Sequence, residues 1–250
     1  MSQLSSIGAV IIVSMIPAVT YGQTLSHPYV RNEAVELACG PQAALVPSSS
    51  TLRVSGSFDP KKALFANGDV VTIAGGTTQG VQPGQVYFVR RAVPDRFTVP
   101  TVDGVTVSSI HTAGWLRIDE AQSDVSVGTI TLACDGIETG DYLEPFELPK
   151  VPAAKQSGEP DFSAPGHFIL GDDRRQMGGQ GSLMVIDRGS DHGLKAGQRL
   201  TIYRETMGGR GPVSRVGEAT VVIVSPEHTL VRIESTRDAV FVGDLVAVQR

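Results

Sequence analysis

The sequence predicts an all-β protein: two tandem, related small β-barrel modules of SH3-like or barrel-sandwich type, joined by a proline-rich linker. Three observations carry that expectation. The first is an internal repeat, which fixes architecture before any local reading does. Gly68 to Arg91 is echoed by Gly181 to Arg204, with Gly68, Ile73, Gly76, Gly80, Gly84, Gln85 and Arg91 all recurring at an offset of 113. The echo resumes at an offset of 103, where Gly114 matches Gly217 and Gly140-Asp141 matches Gly243-Asp244. The second is composition: 28 Gly, 15 Pro and only 19% charged residues suit short strands joined by many turns. The third is the pattern of short β-branched runs bounded by Gly or Pro, the signature of strands in a small barrel or sandwich.

Taken in order, residues 1–22 read as a signal peptide. Ile7 to Val19 is an apolar run of the length of a signal-peptide core, too short for a comfortable span, which needs about 20 residues. Thr20 and Gly22 stand at −3 and −1 of a cut before Gln23, although the leading MSQLSS has no Lys or Arg. An uncleaved anchor is the alternative. Module 1 is expected over 23–144, with strands at Val70–Ile73, Val86–Arg90, Gly114–Asp119 and Thr129–Ala133. Residues 145–166 hold five prolines and form the linker, as a rigid strap or a flexible tether, with Phe146, Leu148 and Phe162 able to pin it. Module 2 follows over 167–250, with strands at Leu183–Asp187, Gln198–Arg204, Gly217–Val224, Thr229–Glu234 and Asp244–Val248. The change of offset predicts a longer connection in the first copy, between Ala92 and Ala113. The nearest approach to a helical period is Ala34 to Leu45, broken at Gly40-Pro41.

The repeated glycines read as scaffold. Gly80 and Gly84, like Gly193 and Gly197, flank a strand entry where positive φ suits a tight turn, and Val81 or Leu194 between them should plug a barrel end. The cysteines read likewise. Cys39 and Cys134 are the only two, near the two ends of module 1, and an even count in an exported chain predicts one disulfide. Two separate buried thiols are the alternative. Closing a loop of that length is worth about 4 to 5 kcal/mol in the chain-entropy account. The net charge of −5 resides in residues 1–150, with 14 acidic and 9 basic side chains, against 12 of each in 151–250. Neither half carries the basic footprint of a nucleic-acid binder.

In the second half the succession MVIDRGSDHGLKAGQRLTIYR, VGEATVVIVSPEHTLVRI and VFVGDLVAV resembles small β-barrel modules of bacterial envelope proteins. It is similar to the C-terminal domain of the flagellar assembly protein FlgT, to barrels of the rod-shape protein MreC and to segments following LysM domains. The turn from Gly189 to Gly197, the strand start at Val216-Gly217 and Gly243-Asp244 carry the likeness over roughly 70 residues. Module 1 joins it only through the repeat. No LysM unit and no coiled coil is recognisable beside these barrels. The resemblance implies an interaction or scaffold module of the cell envelope and brings no catalytic residue.

A search for chemistry returns little. His27, His111, His167, His192 and His228 lack metal-ligand spacing, and neither HExxH nor CxxC occurs. Ser190-Asp191-His192 are adjacent in a glycine-bounded turn, which suits turn formation better than the successive hydrogen bonds of a triad. Gly178–Gly181 and Gly208–Gly211 read as mobile loops, and Asp172–Arg175 as a solvated charge cluster or a partner contact. Asp119, Glu120 and Asp124 lack a calcium-loop pattern. Trp115, the single tryptophan, is the candidate glycan or partner contact if exposed, and a core or barrel-end plug if buried. Tyr87, Phe88, Tyr142 and Phe146 face the same choice.

The expectation is therefore a non-enzymatic, exported protein of the periplasm or bacterial cell surface, acting as a structural or interaction scaffold. Its expected partners are other envelope or surface proteins, or itself as an oligomer, with no cofactor and no metal. The alternative is a module that binds peptidoglycan or another polysaccharide.

Overall fold

The structure, a computed structural model, describes residues 32–44, 48–94, 108–172, 175–206 and 211–250. The expected signal peptide lies outside these residues. The chain opens with helix α1 (Glu33–Cys39) and strand β1 (Gln42–Ala44). Then come β2 (Arg53–Ser57), β3 (Leu64–Phe65), β4 (Val70–Ala74), β5 (Val86–Pro94), β6 (Ser108–Ala121), β7 (Val125–Ala133), β8 (Ile137–Glu138) and β9 (Tyr142–Pro145). The second set is β10 (Pro160–Gly171), β11 (Met177–Gly178), β12 (Leu183–Ile186), β13 (Arg199–Glu205), β14 (Val213–Val224), β15 (Thr229–Thr236), β16 (Val240–Phe241) and β17 (Leu245–Gln249).

Two closed six-stranded barrels result, and they share one topology. The first runs β2-β4-β7-β6-β5-β9 and closes through β2 and β9; the second runs β10-β12-β15-β14-β13-β17 and closes through β10 and β17. The small pairs β3–β8 and β11–β16 also correspond. Alternation explains the closure. On β4, Val71 and Ile73 are fully buried while Val70 is exposed, and on β7 Ser126 and Ile130 are buried while Val125 is exposed. Side chains of one parity fill the barrel, as period-two geometry requires. The first interior is built by Val54, Val71, Ile73, Val89, Leu116 and Ile130; the second by Met184, Ile186, Leu200, Ile202, Val231 and Ile233. Val81 and Leu194 are buried in these two cores, as expected of plugs.

Two of the recurring glycine pairs have distinct reasons. Gly80 and Gly193 each end a short 3-10 turn (Thr77–Gln79 and Ser190–His192) with φ of 82°, the left-handed region that side chains avoid. Gly114 and Gly217 lie where β6 pairs with the end of β7 and β14 with the end of β15. A Cβ there would overlap the carbonyl oxygens of Leu132 and Ser235.

The nine expected strands all form, several extended by a few residues. The repeat also reaches further back than the glycine signals: β10 begins at Pro160, inside the segment read as linker. Its prolines are tolerated because Pro160 starts the strand, while Pro165 lies in the irregular stretch between Asp161 and Gly166. The remaining linker is a pinned strap. Phe146 and Leu148 pack on the first barrel, the Lys155 N–H donates to the Gly197 carbonyl, and Glu159 and Arg250 exchange backbone hydrogen bonds at 3.0 Å. Phe162 meets Tyr203 at 4.7 Å between ring centroids. The offset change lies in the β5–β6 hairpin. Its longer arms give β1 an edge to pair with, Gln42 to Ala44 against Ile110 to Ser108.

Helix α1 is the one α-helix among the described residues. It stops at Gly40-Pro41, where proline removes the donor a further turn would need.

Candidate functional site

The residues that do something other than close a barrel converge where α1 lies. Its Ala38 face joins Phe88, Trp115 and Phe146 on the outside of the first barrel, with Val35, Leu132 and Leu148 around them. The three rings form one cluster: Trp115 lies 5.9 Å from Phe88, edge to face, and 5.3 Å from Phe146. The helix's last residue, Cys39, is bonded to Cys134 just beyond β7, with the Cα atoms 5.7 Å apart. The expected disulfide thus forms. It ties to the first barrel a helix that lies outside that barrel's strand order.

The adjoining face of α1, that of Leu37, belongs to the second barrel. Leu37, fully buried, packs with Ile169, Leu170, Leu183, Val185, Val222 and Leu230 on the outer surface of β10, β12, β14 and β15. Ala43 of β1 joins the same cluster. Arg232 of β15 pairs with Glu33 and stands 3.9 Å from Glu36. Gly40 passes so close that a Cβ would meet the Leu183 and Leu230 side chains.

Trp115 therefore takes the buried of its two sequence-based readings, in a hydrophobic cluster on the outside of the first barrel. It is 8% exposed, and it lies beneath α1 and the strap rather than in the barrel core or at its end. With Phe88 and Phe146 against it, the ring offers no open face for stacking on a sugar. The candidate glycan contact at Trp115 is withdrawn on that ground. Phe88 and Phe146 share its cluster, Tyr142 is buried, and Tyr87 is half-buried at a surface groove. That groove, about 480 Å³, is lined by Ser48–Ser50, Leu52, Gln79, Tyr87, Leu143, Glu144 and Pro145.

The polar side chains are largely spent on the scaffold. Arg91 of β5 grips Asp141 with Nε to Oδ1 at 2.6 Å and Nη2 to Oδ2 at 2.8 Å, and reaches Glu138 and the Gly136 carbonyl. Arg204 repeats the arrangement on Asp244, with both distances 2.8 Å, and reaches Asp238 and the Ala239 carbonyl. Each aspartate also accepts a backbone N–H three residues earlier, from Glu138 or Phe241. The hydrogen bonds to Asp141 and Asp244 push both guanidinium pKa values above their ordinary value. Gln85 and Gln198 close the turns before β5 and β13 by accepting the N–H of Gln82 and Lys195. The sequence shows these residues recurring. It gave no reason to join arginine to aspartate, though their joint recurrence was the available signal.

The histidines do not converge. His111 meets Asp135 at 3.1 Å and His167 meets Asp187 at 3.1 Å, in different barrels. Burial raises the Asp187 carboxyl, but hydrogen bonds from the His167 ring and N–H outweigh it and hold it below its ordinary value. His192 accepts the Gly189 N–H inside its turn, so Ser190-Asp191-His192 forms a cap and not a triad. His228 stands in the β14–β15 turn, and His27 lies outside the described residues. Asp119 is held by Arg117 and Thr129, while Asp124 accepts from Thr78. Among the described residues, no three His, Cys, Asp or Glu side chains are placed to hold a metal ion.

Gly178 is ordered in β11, and Gly208 to Arg210 lie outside the described residues, as do Asp173 and Arg174. Asp172 lines a polar cavity of about 250 Å³ with Pro41, Arg91, Ser109, Ile110, His111 and Asp135. Among the described residues no helix is long and apolar enough to cross a membrane.

Taken together, fold and site define an all-β protein of two like barrels clasped by a disulfide-bonded helix. Compared with known protein families and with curated proteins, the chain matches none.

Proposed function

We propose that this chain is a non-enzymatic, exported scaffold of the bacterial cell envelope or surface that presents two barrels to envelope proteins or to further copies of itself. The observation that carries the reading is the use made of its polar residues. The arginines, aspartates and glutamines that recur in both halves are spent on hydrogen bonds within the fold, as brackets and turn closures, leaving the uncovered outer strand faces as the available working surface. The Cys39–Cys134 disulfide is compatible with an oxidising, extracytoplasmic setting. The likeness of the second barrel to envelope modules agrees with it.

The test is mild cross-linking of the tagged protein in its native envelope, followed by affinity purification and mass spectrometry. A stoichiometric protein partner, or self-association into large species, is expected. Recovery of wall fragments alone would favour a polysaccharide-binding role. The groove beside Tyr87 is the surface that such a role would use, because its aromatic ring, hydroxyls and carboxylate suit a sugar. In that case Tyr87→Ala should weaken retention on purified cell wall about tenfold, while Trp115→Phe should leave it unchanged.

A further inference from the structure

The internal repeat offers a comparison within one molecule. Both barrels have the same strand order, so each position of the α1-binding face has a counterpart on the first barrel. Leu183 and Val185 correspond to Val70 and Thr72; Val222, Leu230 and Arg232 correspond to Asp119, Val127 and Thr129. On the first barrel this face is exposed or half-buried and carries Thr72, Asp119 and Thr129. On the second it is apolar, nearly fully buried, and carries the arginine that pairs with Glu33. The barrel itself does not demand an apolar outer face there, since the first barrel closes without one.

We propose that this face of the second barrel is a helix-binding site, occupied in the chain by α1, and that the Cys39–Cys134 bond makes α1 a clasp holding the two barrels as one body. The helix is amphipathic across its width. Glu33, Glu36 and Leu37 address the second barrel, while Ala38 and Cys39 address the first. Two barrels joined only by a strap and a small contact are expected to move relative to one another. The disulfide, together with β1 paired to β6, keeps α1 on the first barrel, so its local concentration at the second barrel's face stays high. Both sulfurs belong to half-buried residues, within reach of a small thiol. Reduction by a dithiol would break the S–S bond. Cys39 and Cys134 would each gain a proton and an electron, and the dithiol would become a disulfide. The helix would then be held by the packing of Leu37 and Ala38, by the Glu33–Arg232 pair and by β1 on β6, and the face of Leu183, Val185, Val222 and Leu230 would become open to exchange with another helix carrying acid and leucine at the same spacing.

The experiment uses the full chain. Small-angle scattering and the emission of Trp115, the single tryptophan, are recorded for the oxidised protein, for the protein in dithiothreitol and for Cys39→Ser/Cys134→Ser. The expected result is a larger radius of gyration and a red-shifted Trp115 in both reduced forms, with far-ultraviolet dichroism retained. An unchanged radius and emission would overturn the clasp. Leu37→Ser with the disulfide intact covers the case in which the first barrel fails to fold without its bond. It should enlarge the radius while leaving the Trp115 emission near that of the oxidised protein. An unchanged radius there would equally overturn the proposal.

Discussion

In each barrel one arginine, on β5 in the first and β13 in the second, spans to the aspartate that opens the last strand. Arg91 and Arg204 are partly exposed, but the carboxylates they grip are not: the side chains of Asp141 and Asp244 are only 2% and 4% exposed. A buried carboxylate left without its partner is costly, because little solvent replaces the lost hydrogen bonds. Arg204→Met should therefore destabilise the second barrel by about 3 kcal/mol in urea unfolding, and Arg91→Met should do the same to the first. Lysine should rescue only part of the loss, since a point charge cannot reproduce two parallel N–H bonds. Equal stability of Arg204→Lys and the parent would show that charge alone matters.

At the scale of elements, the two halves separate what is intrinsic to the barrel from what each copy adds. Turn, close strand approach and bracket are common to both. The long β5–β6 hairpin, β1, α1 and the strap are not. Gly217 belongs to the common set, and its place in the β14–β15 pairing leaves no room for a Cβ before the Ser235 carbonyl. Backbone, unlike a flexible side chain, cannot move aside without breaking the ladder that closes the barrel. Gly217→Ala should cost about 3 kcal/mol or more. Gly179→Ala, where a Cβ meets open space, should be near neutral by the same thermal unfolding measurement. The same comparison locates the edge of what the sequence disclosed. β4 to β7 and their counterparts were legible because glycine turns punctuate them. The first strands, β2 and β10, were not, because neither carries a repeated turn and the prolines of β10 argue against a strand.

For the whole molecule, acid should weaken the second barrel through His228 and, at lower pH, Asp187. Burial holds the His228 imidazole below its ordinary 6.5, with Glu227 opposing in part. Below pH 6.5 the unfolded chain thus binds this proton more readily than the folded one, and stability is lost as pH falls toward the folded value. The hydrogen-bonded Asp187 acts in a lower window: its stabilisation is present above about 3.8 and is lost as pH falls through its depressed folded value. The thermal midpoint should therefore drop between pH 7.5 and 5.5, and His228→Gln should remove part of that drop. A variant with the parent's full drop would exclude His228 as a source.

The sequence by itself determined the class of fold, the two-fold repetition, nine of the strands, the turn positions and the cysteine pair. Each is set by local chemistry: β-branched alternation, glycine where φ must be positive, and two cysteines with no other partner. It could not say that the cysteine-bearing segment is a helix shared by two barrels. Nor could it place Trp115, whose burial depends on which side chains arrive from Ala38 and Phe146. Those outcomes belong to the tertiary structure. They depend on which outer faces meet, and a face is assembled from strands far apart in sequence, so no local pattern encodes its partner.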